Sequence, residues 1–329
     1  MKIKDILQIK YGKNQSSVID ENGKYPIIGT GGIFGYATKY LYNKPSVLIG
    51  RKGSINNPMY VDTPFWTVDT LFYTIIDTSK VIPRWFYYYI STLNLNKFNE
   101  GTTIPSLTTK TLYEIDVPEH SLNYQQHIVD IIGSLDDKIE NNNKINNKLW
   151  QKLQLIHTDF KSKNELVEKN ILELADIKYG KGIPTSEILK DGLYSVYGSN
   201  GIIGYLNNYT FKEHKIAISC RGNSSGIIHL TDENSTVTSN SLVLDFKNFD
   251  YTYYFFLEFM YKGLYEYKTG SAQPQITIDN LKILNLQVPK NINDYIKNIN
   301  DSVEYTFCLK KENQKLFLLK QFYLKKFFG

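Results

Sequence analysis

Residues 9–13 read Ile-Lys-Tyr-Gly-Lys, and residues 177–181 read the same five letters 168 positions later. Gly29-Thr-Gly-Gly-Ile-Phe-Gly-Tyr36 is answered 169 positions later by Gly198-Ser-Asn-Gly-Ile-Ile-Gly-Tyr205. Three further pairs follow in the same order: Gly50-Arg-Lys-Gly-Ser54 with Cys220-Arg-Gly-Asn-Ser224, Gly101-Thr-Thr-Ile-Pro-Ser-Leu107 with Gly270-Ser-Ala-Gln-Pro-Gln-Ile276, and Ile115-Asp-Val-Pro118 with Leu286-Gln-Val-Pro289. Matches in constant order at a nearly constant spacing indicate an internal repeat. The chain is therefore a tandem duplication of about 165–170 residues.

Each copy begins with segments of strand type and ends with a long segment of helix type. The first part is rich in Tyr, Val, Ile and Thr, interrupted by Gly, Pro and Asn. Residues 45–50 and 70–76 are predicted strands, and residues 84–93 are a predicted helix. The second part follows Pro118 and Pro289, and Gly133 is its one helix-breaking residue. This order of elements predicts an α+β protein.

The first long segment carries a seam of apolar residues at steps of four and three, which is typical of a coiled coil. From Ile128 onward the seam contains Ile132, Leu135, Ile139, Asn142, Asn146, Leu149 and Leu153. The second segment, from about Ile292 to Phe328, carries an equivalent stripe that includes Asn313 and Leu316. An Asn in such a seam lowers stability and commonly fixes register and partner.

Two equivalent helices can pack antiparallel about a pseudo-two-fold axis, because each buries its stripe against the other. A helix of about 35 residues spans roughly 50 Å, which favours a spacer between two domains. We predict that Asn146 and Asn313 lie near each other across the seam. The alternative is that the two repeats are simply stacked on short helices.

The composition is that of a soluble globular protein with an unusually high aromatic content, 26 Tyr and 17 Phe. The net charge is +5, from 38 basic and 33 acidic residues, and no segment forms a basic arm. The two cysteines lack metal-ligand spacing and fit a reducing compartment. Because no signal-peptide or membrane-spanning pattern is found, we expect a cytoplasmic protein without a membrane partner.

No catalytic motif stands out in the sequence. The five histidines are scattered, and no residue cluster has the spacing of a metal site. Asn57-Pro-Met-Tyr60 lacks the second proline of the adenine methyltransferase loop. Residues 29–35 are rich in glycine but lack the Gly-Lys-Ser/Thr of a phosphate-binding loop. We interpret them as a tight hairpin or a close backbone approach, and contact with DNA is the alternative. We expect a protein without catalytic activity.

Candidate DNA contacts come from the duplicated loops. Arg51 and Arg221 occupy similar places after a strand, where an arginine can reach guanine O6 and N7 or a phosphate. The alternative for each is a surface ion pair with a carboxylate. The other residues predicted to contact DNA are Lys13, Lys52, Ser54, Asn56, Thr102, Thr103, Lys181, Asn223, Ser224, Ser271 and Gln273.

The end of the first copy resembles type I restriction-modification specificity subunits. The residues that carry the resemblance are Gly101-Thr-Thr-x-x-x-Leu107, Leu112-x-x-Ile-x-Val-Pro118, Tyr124-Gln-Gln-His-Ile128 and Leu135-Asp-Asp-Lys-Ile139. They are similar to the junction at which a target recognition domain of that family runs into a helix, usually with Glu-Gln in place of Gln125-Gln126. The second junction, Asn293-Asp-Tyr-Ile296, lacks that pair. The resemblance covers the whole chain.

The resemblance implies two mixed α/β target recognition domains, residues 1–120 and 166–290, each followed by a spacer helix, residues 121–165 and 291–329. Each domain would read one half of a bipartite, asymmetric duplex DNA target, and the antiparallel helices would set the gap. Two modification subunits would dock on the helices, and S-adenosylmethionine, ATP and Mg would belong to partner subunits rather than to this chain. The resemblance leaves open whether restriction subunits take part.

Three alternatives remain open at this point. The chain could be the recognition subunit of another multi-subunit modification enzyme, or an orphan specificity subunit. A more remote alternative is a repeat scaffold that binds protein or carbohydrate.

Overall fold

The computed structural model describes residues 1–270 and 273–329. Within these ranges the chain forms two compact units. Unit 1 consists of Met1–Asn141 and Asn313–Gly329, and unit 2 consists of Asn142–Glu312. Each long helix is therefore shared between the units, so the division differs from the four sequence blocks 1–120, 121–165, 166–290 and 291–329, which stay a prediction.

Unit 1 contains two small sheets. Its strands are β1 (Leu7–Tyr11), β2 (Tyr25–Gly29), β3 (Gly32–Ala37), β4 (Ser46–Gly50), β5 (Met59–Val61), β6 (Trp66–Thr67) and β7 (Leu71–Ile76). Its helices are α1 (Pro83–Thr92), α2 (Thr109–Tyr113) and the first part of α3 (Leu122–Lys163). One sheet has the order β1-β7-β4-β5, with antiparallel neighbours. The other has the order β3-β2-β6, in which β6 is parallel to β2.

The core of unit 1 lies between the four-stranded sheet and α1. Strand β4 is buried along its whole length, as expected for a central strand covered on both faces. Helix α1 begins with Pro83 in its first turn, where proline is tolerated, and buries Trp85, Phe86 and Tyr88. The predicted strands 45–50 and 70–76 and the predicted helix 84–93 are confirmed to within one residue at each end.

Unit 2 repeats this plan. Its strands are β8 (Leu166–Asn170), β9 (Ala175–Tyr179), β10 (Tyr194–Gly198), β11 (Gly201–Leu206), β12 (Ile216–Ser219), β13 (Ile228–Leu230), β14 (Thr236–Val237), β15 (Ser241–Phe246) and β16 (Asn285–Pro289). Its helices are α4 (Ile171–Leu174), α5 (Asp250–Lys262), α6 (Ile278–Lys282) and the first part of α7 (Asn293–Phe328). The sheets β13-β12-β15-β9 and β11-β10-β14 have the topology of the two sheets in unit 1, and β8 pairs with β16. The duplication and the α+β class are confirmed.

The two long helices run antiparallel in each unit. In unit 1, Lys320 Nζ of α7 donates to Asp136 Oδ1 of α3 at 2.6 Å. In unit 2, Asn142 Nδ2 of α3 donates to Glu312 Oε2 of α7 at 2.7 Å. Further along α3, His157 meets Tyr295, which lies earlier in α7. Residue numbers therefore rise along α3 as they fall along α7.

The predicted seam lies in the helix contacts. Ile132, Asn142 and Leu153 are fully buried. The other members are half-buried: Leu135, Ile139, Asn146, Leu149, Asn313 and Leu316. Asn146 belongs to unit 2 and Asn313 to unit 1, so their proximity stays a prediction.

Helix α3 is fixed to unit 1 by polar contacts at its start. Gln125 is fully buried; its amide donates to the carbonyls of Lys80 and His120 and accepts from Ile82 N at 2.8 Å. At Gly133 a Cβ would lie 3.3 Å from the guanidinium of Arg84, so the glycine makes room for that side chain. The Gln of the junction thus acts as an anchor between α3 and the first repeat.

Candidate nucleic-acid interface

Four loops of unit 1 meet at one end of the four-stranded sheet, where β1 and β4 end and β7 begins. A fifth segment, residues 66–71, connects them and is called the anchor segment. We call the four loops together the loop face of unit 1; they are residues 12–13, 29–32, 50–56 and 101–107. Three of the four loops contain DNA contacts predicted from the sequence, and residues 29–32 are the tip of the glycine-rich hairpin.

Backbone hydrogen bonds hold this arrangement in place. They run from Lys13 N to Thr67 O at 2.9 Å, from Val68 N to Ile28 O at 3.2 Å, from Arg51 N to Thr70 O at 2.8 Å and from Leu107 N to Arg51 O at 2.9 Å. Because all four bonds join backbone atoms, the frame does not depend on the side chains that the loops present.

Unit 2 has the same frame, and its anchor segment is residues 236–241. The corresponding bonds run from Lys181 N to Val237 O at 2.8 Å, from Thr238 N to Tyr197 O at 2.8 Å, from Cys220 N to Asn240 O at 3.0 Å and from Ile276 N to Cys220 O at 3.0 Å. The loop face of unit 2 consists of residues 180–181, 198–201, 220–224 and 273–276. The structure therefore brings the predicted loops together in both units.

In both copies of the Ile-Lys-Tyr-Gly-Lys motif, the glycine packs against the anchor segment. A Cβ on Gly12 would lie 2.0 Å from Val68 O, and a Cβ on Gly180 would lie 2.3 Å from Thr238 O. Only glycine allows two backbones to approach this closely. The following lysines, Lys13 and Lys181, are exposed at the edge of the loop face.

The proposed equivalence of Arg51 and Arg221 is wrong by one residue. The hydrogen bonds above match Arg51 with Cys220, since both donate to the anchor segment and accept from the last loop. Lys52 then matches Arg221, and these two residues form corresponding bridges with Ser106 and Gln275. The shift arises because β12 ends one residue earlier in its loop than β4 does. The sequence alignment had rested on two identical pairs, Arg51 with Arg221 and Ser54 with Ser224.

The two arginines have different surroundings. Arg51 Nε donates to Asp69 O at 2.6 Å, Nη2 lies 3.6 Å from Asp69 Oδ2, and the guanidinium lies 5.6 Å from the Tyr11 ring centre. Arg51 therefore forms an ion pair with a carboxylate, as in the alternative to DNA contact. Arg221 is exposed, and among the described residues its side chain makes no hydrogen bond or ion pair. Within residues 1–270 and 273–329, no side chain occupies its guanidinium.

The remaining predicted contacts divide by what their side chains already bind. Asn56 Oδ1 accepts from Leu95 N at 2.6 Å, and Ser224 Oγ donates to Asn200 Oδ1 at 2.6 Å, so both have a structural role. Ser271 lies outside the described residues. The others are exposed on the loop faces: Lys13, Lys52, Ser54, Thr102, Thr103, Lys181, Asn223 and Gln273. Contact of any of these residues with DNA stays a prediction.

The sequence did not identify the hairpin tips, Asp69 or Tyr11 as parts of the site. The hairpin was interpreted mainly as a structural turn, with DNA contact as the alternative, and its tip belongs to the loop face in both units. In unit 2, Asn200 of the tip is bonded to the loop that carries Arg221. The signal that pointed to the hairpin was the duplication of its glycines, which marks a shared backbone path.

Three further features of the described residues concern thiol reactivity, metal binding and membrane helices. Burial raises the pKa of the Cys220 thiol, which disfavours the reactive thiolate. In the described part of the chain, no group of three His, Cys, Asp or Glu residues is placed to hold a metal ion. No helix among residues 1–270 and 273–329 is both long and apolar enough to cross a membrane.

A solved structure with a TM-score above 0.5 has the same fold. A type I restriction-modification system S subunit from M. genitalium superposes with a TM-score of 0.68 at 18% identity, over 100% of this chain and 95% of that chain. The HsdS subunit from Thermoanaerobacter tengcongensis is 12% identical and has a TM-score of 0.33, over 98% and 97% of the two chains.

Sequence comparison identifies the family. The type I restriction enzyme MjaIX specificity subunit of Methanocaldococcus jannaschii is 26% identical over an alignment of 179 residues. The alignment covers 47% of this chain and 41% of that relative. The aligned part therefore spans about two-fifths of the length of that relative. A family model described as "Type I restriction modification DNA specificity domain" matches residues 1–151 and 163–321. This chain belongs to the family of type I restriction-modification DNA specificity domains.

Proposed function

We propose that this chain is the non-catalytic specificity subunit of a type I restriction-modification complex. The loop face of each unit reads one half of a bipartite, asymmetric target in duplex DNA. The observation that carries the proposal is one backbone frame, used twice, which presents different side chains in the two units. Arg51 of one frame matches Cys220 of the other, and Lys52 matches Arg221. Two such faces would read two different half-sites.

The positive groups on and beside the loop faces support contact with DNA phosphates. Lys13, Lys52 and Lys181 are exposed there, and salt-dependent affinity for DNA comes mainly from such cations. In unit 2, a cavity of about 480 Å³ beside Lys181 is lined by four lysines, two of which share Asp245 as a partner. Phosphate contacts would position the loops, and base contacts would give specificity.

The long helices support the second part of the proposal, which concerns spacing and partners. Helix α3 has 42 residues and α7 has 36, and at about 1.5 Å per residue either helix could set the gap between half-sites. Phe317, Leu318 and Phe322 are exposed on α7, so this helix offers apolar area to another protein. We propose that two modification subunits dock on the helices and that S-adenosylmethionine, ATP and Mg bind to partner subunits.

Binding of the full chain to a library of random duplexes tests the proposal. We expect a selected consensus with two separate halves, and an affinity that falls steeply between about 50 and 200 mM salt. Lys13→Gln and Lys181→Gln should each lower the salt slope by about one and leave the consensus unchanged. Lys163→Gln, at the end of α3, is the matched control.

Three results would contradict the proposal or replace it. Binding without sequence selectivity would favour the scaffold alternative, and methyl transfer by the purified chain alone would make the chain an enzyme. Methylated motifs in cells with and without the gene would show whether the chain directs modification. An unchanged set of motifs would contradict a specificity role.

A further inference from the structure

The glycine-rich hairpin of each unit contains a β-bulge at the same place. In unit 1, Ile27 pairs with Gly35 and Ile28 pairs with Ile33, so Phe34 is the extra residue. In unit 2, the pairing of β10 with β11 likewise shifts by one residue and skips Ile203. A bulge re-aims a side chain and is commonly found next to functional sites. Its occurrence in both repeats makes it part of the common frame.

The bulge breaks the alternation of a regular strand and exposes apolar side chains. Successive residues of a strand point to opposite faces, but Ile33 and Phe34 are 59% and 53% exposed. In unit 2, Ile203 is 51% exposed. Large apolar side chains this exposed, at the same position in two repeats, are candidates for a binding role.

The glycine that begins each hairpin tip orients the bulged residue. A Cβ on Gly29 would lie 3.2 Å from Phe34 Cε1, and a Cβ on Gly198 would lie 2.8 Å from Ile203 Cγ2. Each apolar side chain therefore lies across its glycine, in space that a larger residue at that position would occupy.

The tip of the first hairpin is open, and the anchor segment connects the hairpin with the turn of Lys13. Added Cβ atoms on Gly31 and Gly32 would meet nothing within 4 Å. In the anchor segment, Val68 N donates to Ile28 O of this hairpin, and Thr67 O accepts from Lys13 N. The ligand that fits here has an apolar group within a negatively charged surface. In the major groove of DNA, the C5-methyl group of thymine is such a group.

We propose that Phe34 and Ile203 are specificity-determining residues that contact thymine methyl groups, one residue in each half-site. The major groove is wide enough to admit a two-stranded β-ribbon, and apolar side chains read thymine by contact with its methyl group. This inference rests on the proposed function, because it assigns the base contact within the same DNA site. It assigns to the hairpin the DNA contact that was the alternative to a purely structural turn.

Selection of bound sequences from random DNA duplexes tests the inference, with the wild-type chain compared with Phe34→Ala and Ile203→Ala. The two variants are controls for each other, since each should relax the consensus at an A·T pair of its own half and leave the other half unchanged. Phe34→Leu keeps an apolar side chain and should retain the preference. Both side chains are exposed, so thermal unfolding should be unaltered.

A second measurement removes only the methyl group from the DNA. Deoxyuridine in place of the thymine at the relaxed position should weaken binding of the wild-type chain about fourfold, the value of one buried methyl or methylene group. The same replacement should have no effect on the alanine variant of that half. The two losses therefore should not add, as expected when they remove one contact from either side.

Several outcomes would overturn the inference and are distinguishable from failure of the proposed function. A two-part consensus that neither variant changes would remove the inference alone. A loss of base preference in the alanine variants that deoxyuridine does not reproduce would also overturn it, because that result is expected for a side chain wedged between base steps. Alanine variants that lose assembly with partner subunits but keep DNA binding would overturn it as well. If the wild-type chain selects no consensus, the proposed function fails together with the inference.

Discussion

A buried chain of hydrogen bonds connects α3, α5 and α7 in unit 2, and Glu258→Gln is the change that tests its strength. Glu258 Oε2 lies 2.9 Å from His157 Nε2, and His157 Nδ1 lies 2.9 Å from the hydroxyl of Tyr295. If His157 Nε2 donates to the carboxylate, Nδ1 of the neutral ring accepts from Tyr295. The ammonium groups of Lys161 and Lys262 each lie 2.8 Å from Glu258 Oε1 and supply the remaining partners of the carboxylate.

The size of the effect follows from what each partner can do after the change. A hydrogen bond to a charged group is worth about 1.5–3 kcal/mol. Lys262, at 58% exposure, can return to water, so its bond contributes under about 1 kcal/mol. His157 is buried, but the glutamine amide still offers it an acceptor. The main loss is at Lys161, which is only 22% exposed and donates to both carboxylate oxygens at 2.8 Å. We therefore expect Glu258→Gln to lower the free energy of unfolding of unit 2 by about 2–3 kcal/mol.

Hydrogen exchange of the α5 amides, Asp250–Lys262, measures this locally. A loss of 2–3 kcal/mol corresponds to about 30- to 150-fold faster exchange, since about 1.4 kcal/mol is tenfold. Lys262→Gln is the matched control and should change exchange by less than about fivefold. Equal effects of the two variants, or none from Glu258→Gln, would refute the reasoning that the buried carboxylate holds the helices together.

The same carboxylate predicts how the effect depends on pH. Burial opposes its ionisation, but hydrogen bonds from His157, Lys161 and Lys262 hold the pKa of Glu258 well below its ordinary value of 4.5. A group with a lowered pKa in the folded state stabilises above its unfolded pKa and loses that contribution as pH falls through the folded one. The penalty of Glu258→Gln should thus be full at neutral pH and shrink below pH 4.5. A constant penalty would contradict the assignment.

Three further predictions concern the frame and its surface. Gly12→Ala places a Cβ 2.0 Å from a carbonyl oxygen of the anchor segment, and should destabilise unit 1 by about 1–3 kcal/mol in urea unfolding; an unchanged midpoint would argue against the close approach. Lys52→Gln and Arg221→Gln, at matched exposed positions, should each weaken DNA binding about three- to tenfold and leave thermal stability intact; a drop in stability would make them structural. Asp136→Asn weakens the acceptor of a buried tyrosine and of a lysine from α7, so it should cost about 1–3 kcal/mol in unit 1, whereas the more exposed Asp137→Asn should cost less.

The sequence predicted the features that depend on periodicity and repetition. The apolar seam placed both long helices, and the second one begins at Asn293 against a prediction of Ile292. The strands 45–50 and 70–76 were recognisable because runs of Val, Ile and Tyr lie between turn residues. Both signals are local, since they reflect the geometry of one element and the face that it buries.

The features that the sequence did not predict depend on pairing between distant segments. Matching the letters aligned Arg51 with Arg221, but hydrogen bonds to the anchor segments align Arg51 with Cys220. The bulges at Phe34 and Ile203 also exist only as a shift in pairing between two strands. No run of residues reveals such a shift, because it is decided by which backbone groups find partners across the sheet.

The duplicated frame is consistent with the proposal that one fold reads two different half-sites. The bonds that hold the loops join backbone atoms, and the close contacts at Gly12 and Gly180 involve a glycine and a carbonyl oxygen. Neither kind of contact limits the side chains at the matched positions, so Arg51 can become Cys220 and Phe34 can become Ile203 without a change in the frame. Under the proposed function, backbone atoms and frame glycines carry the stability of the loops, and exposed side chains carry the base preference. We therefore expect a substitution of an exposed side chain on the loop face to change what the unit reads, and a substitution of Gly12 or Gly180 to lower its stability.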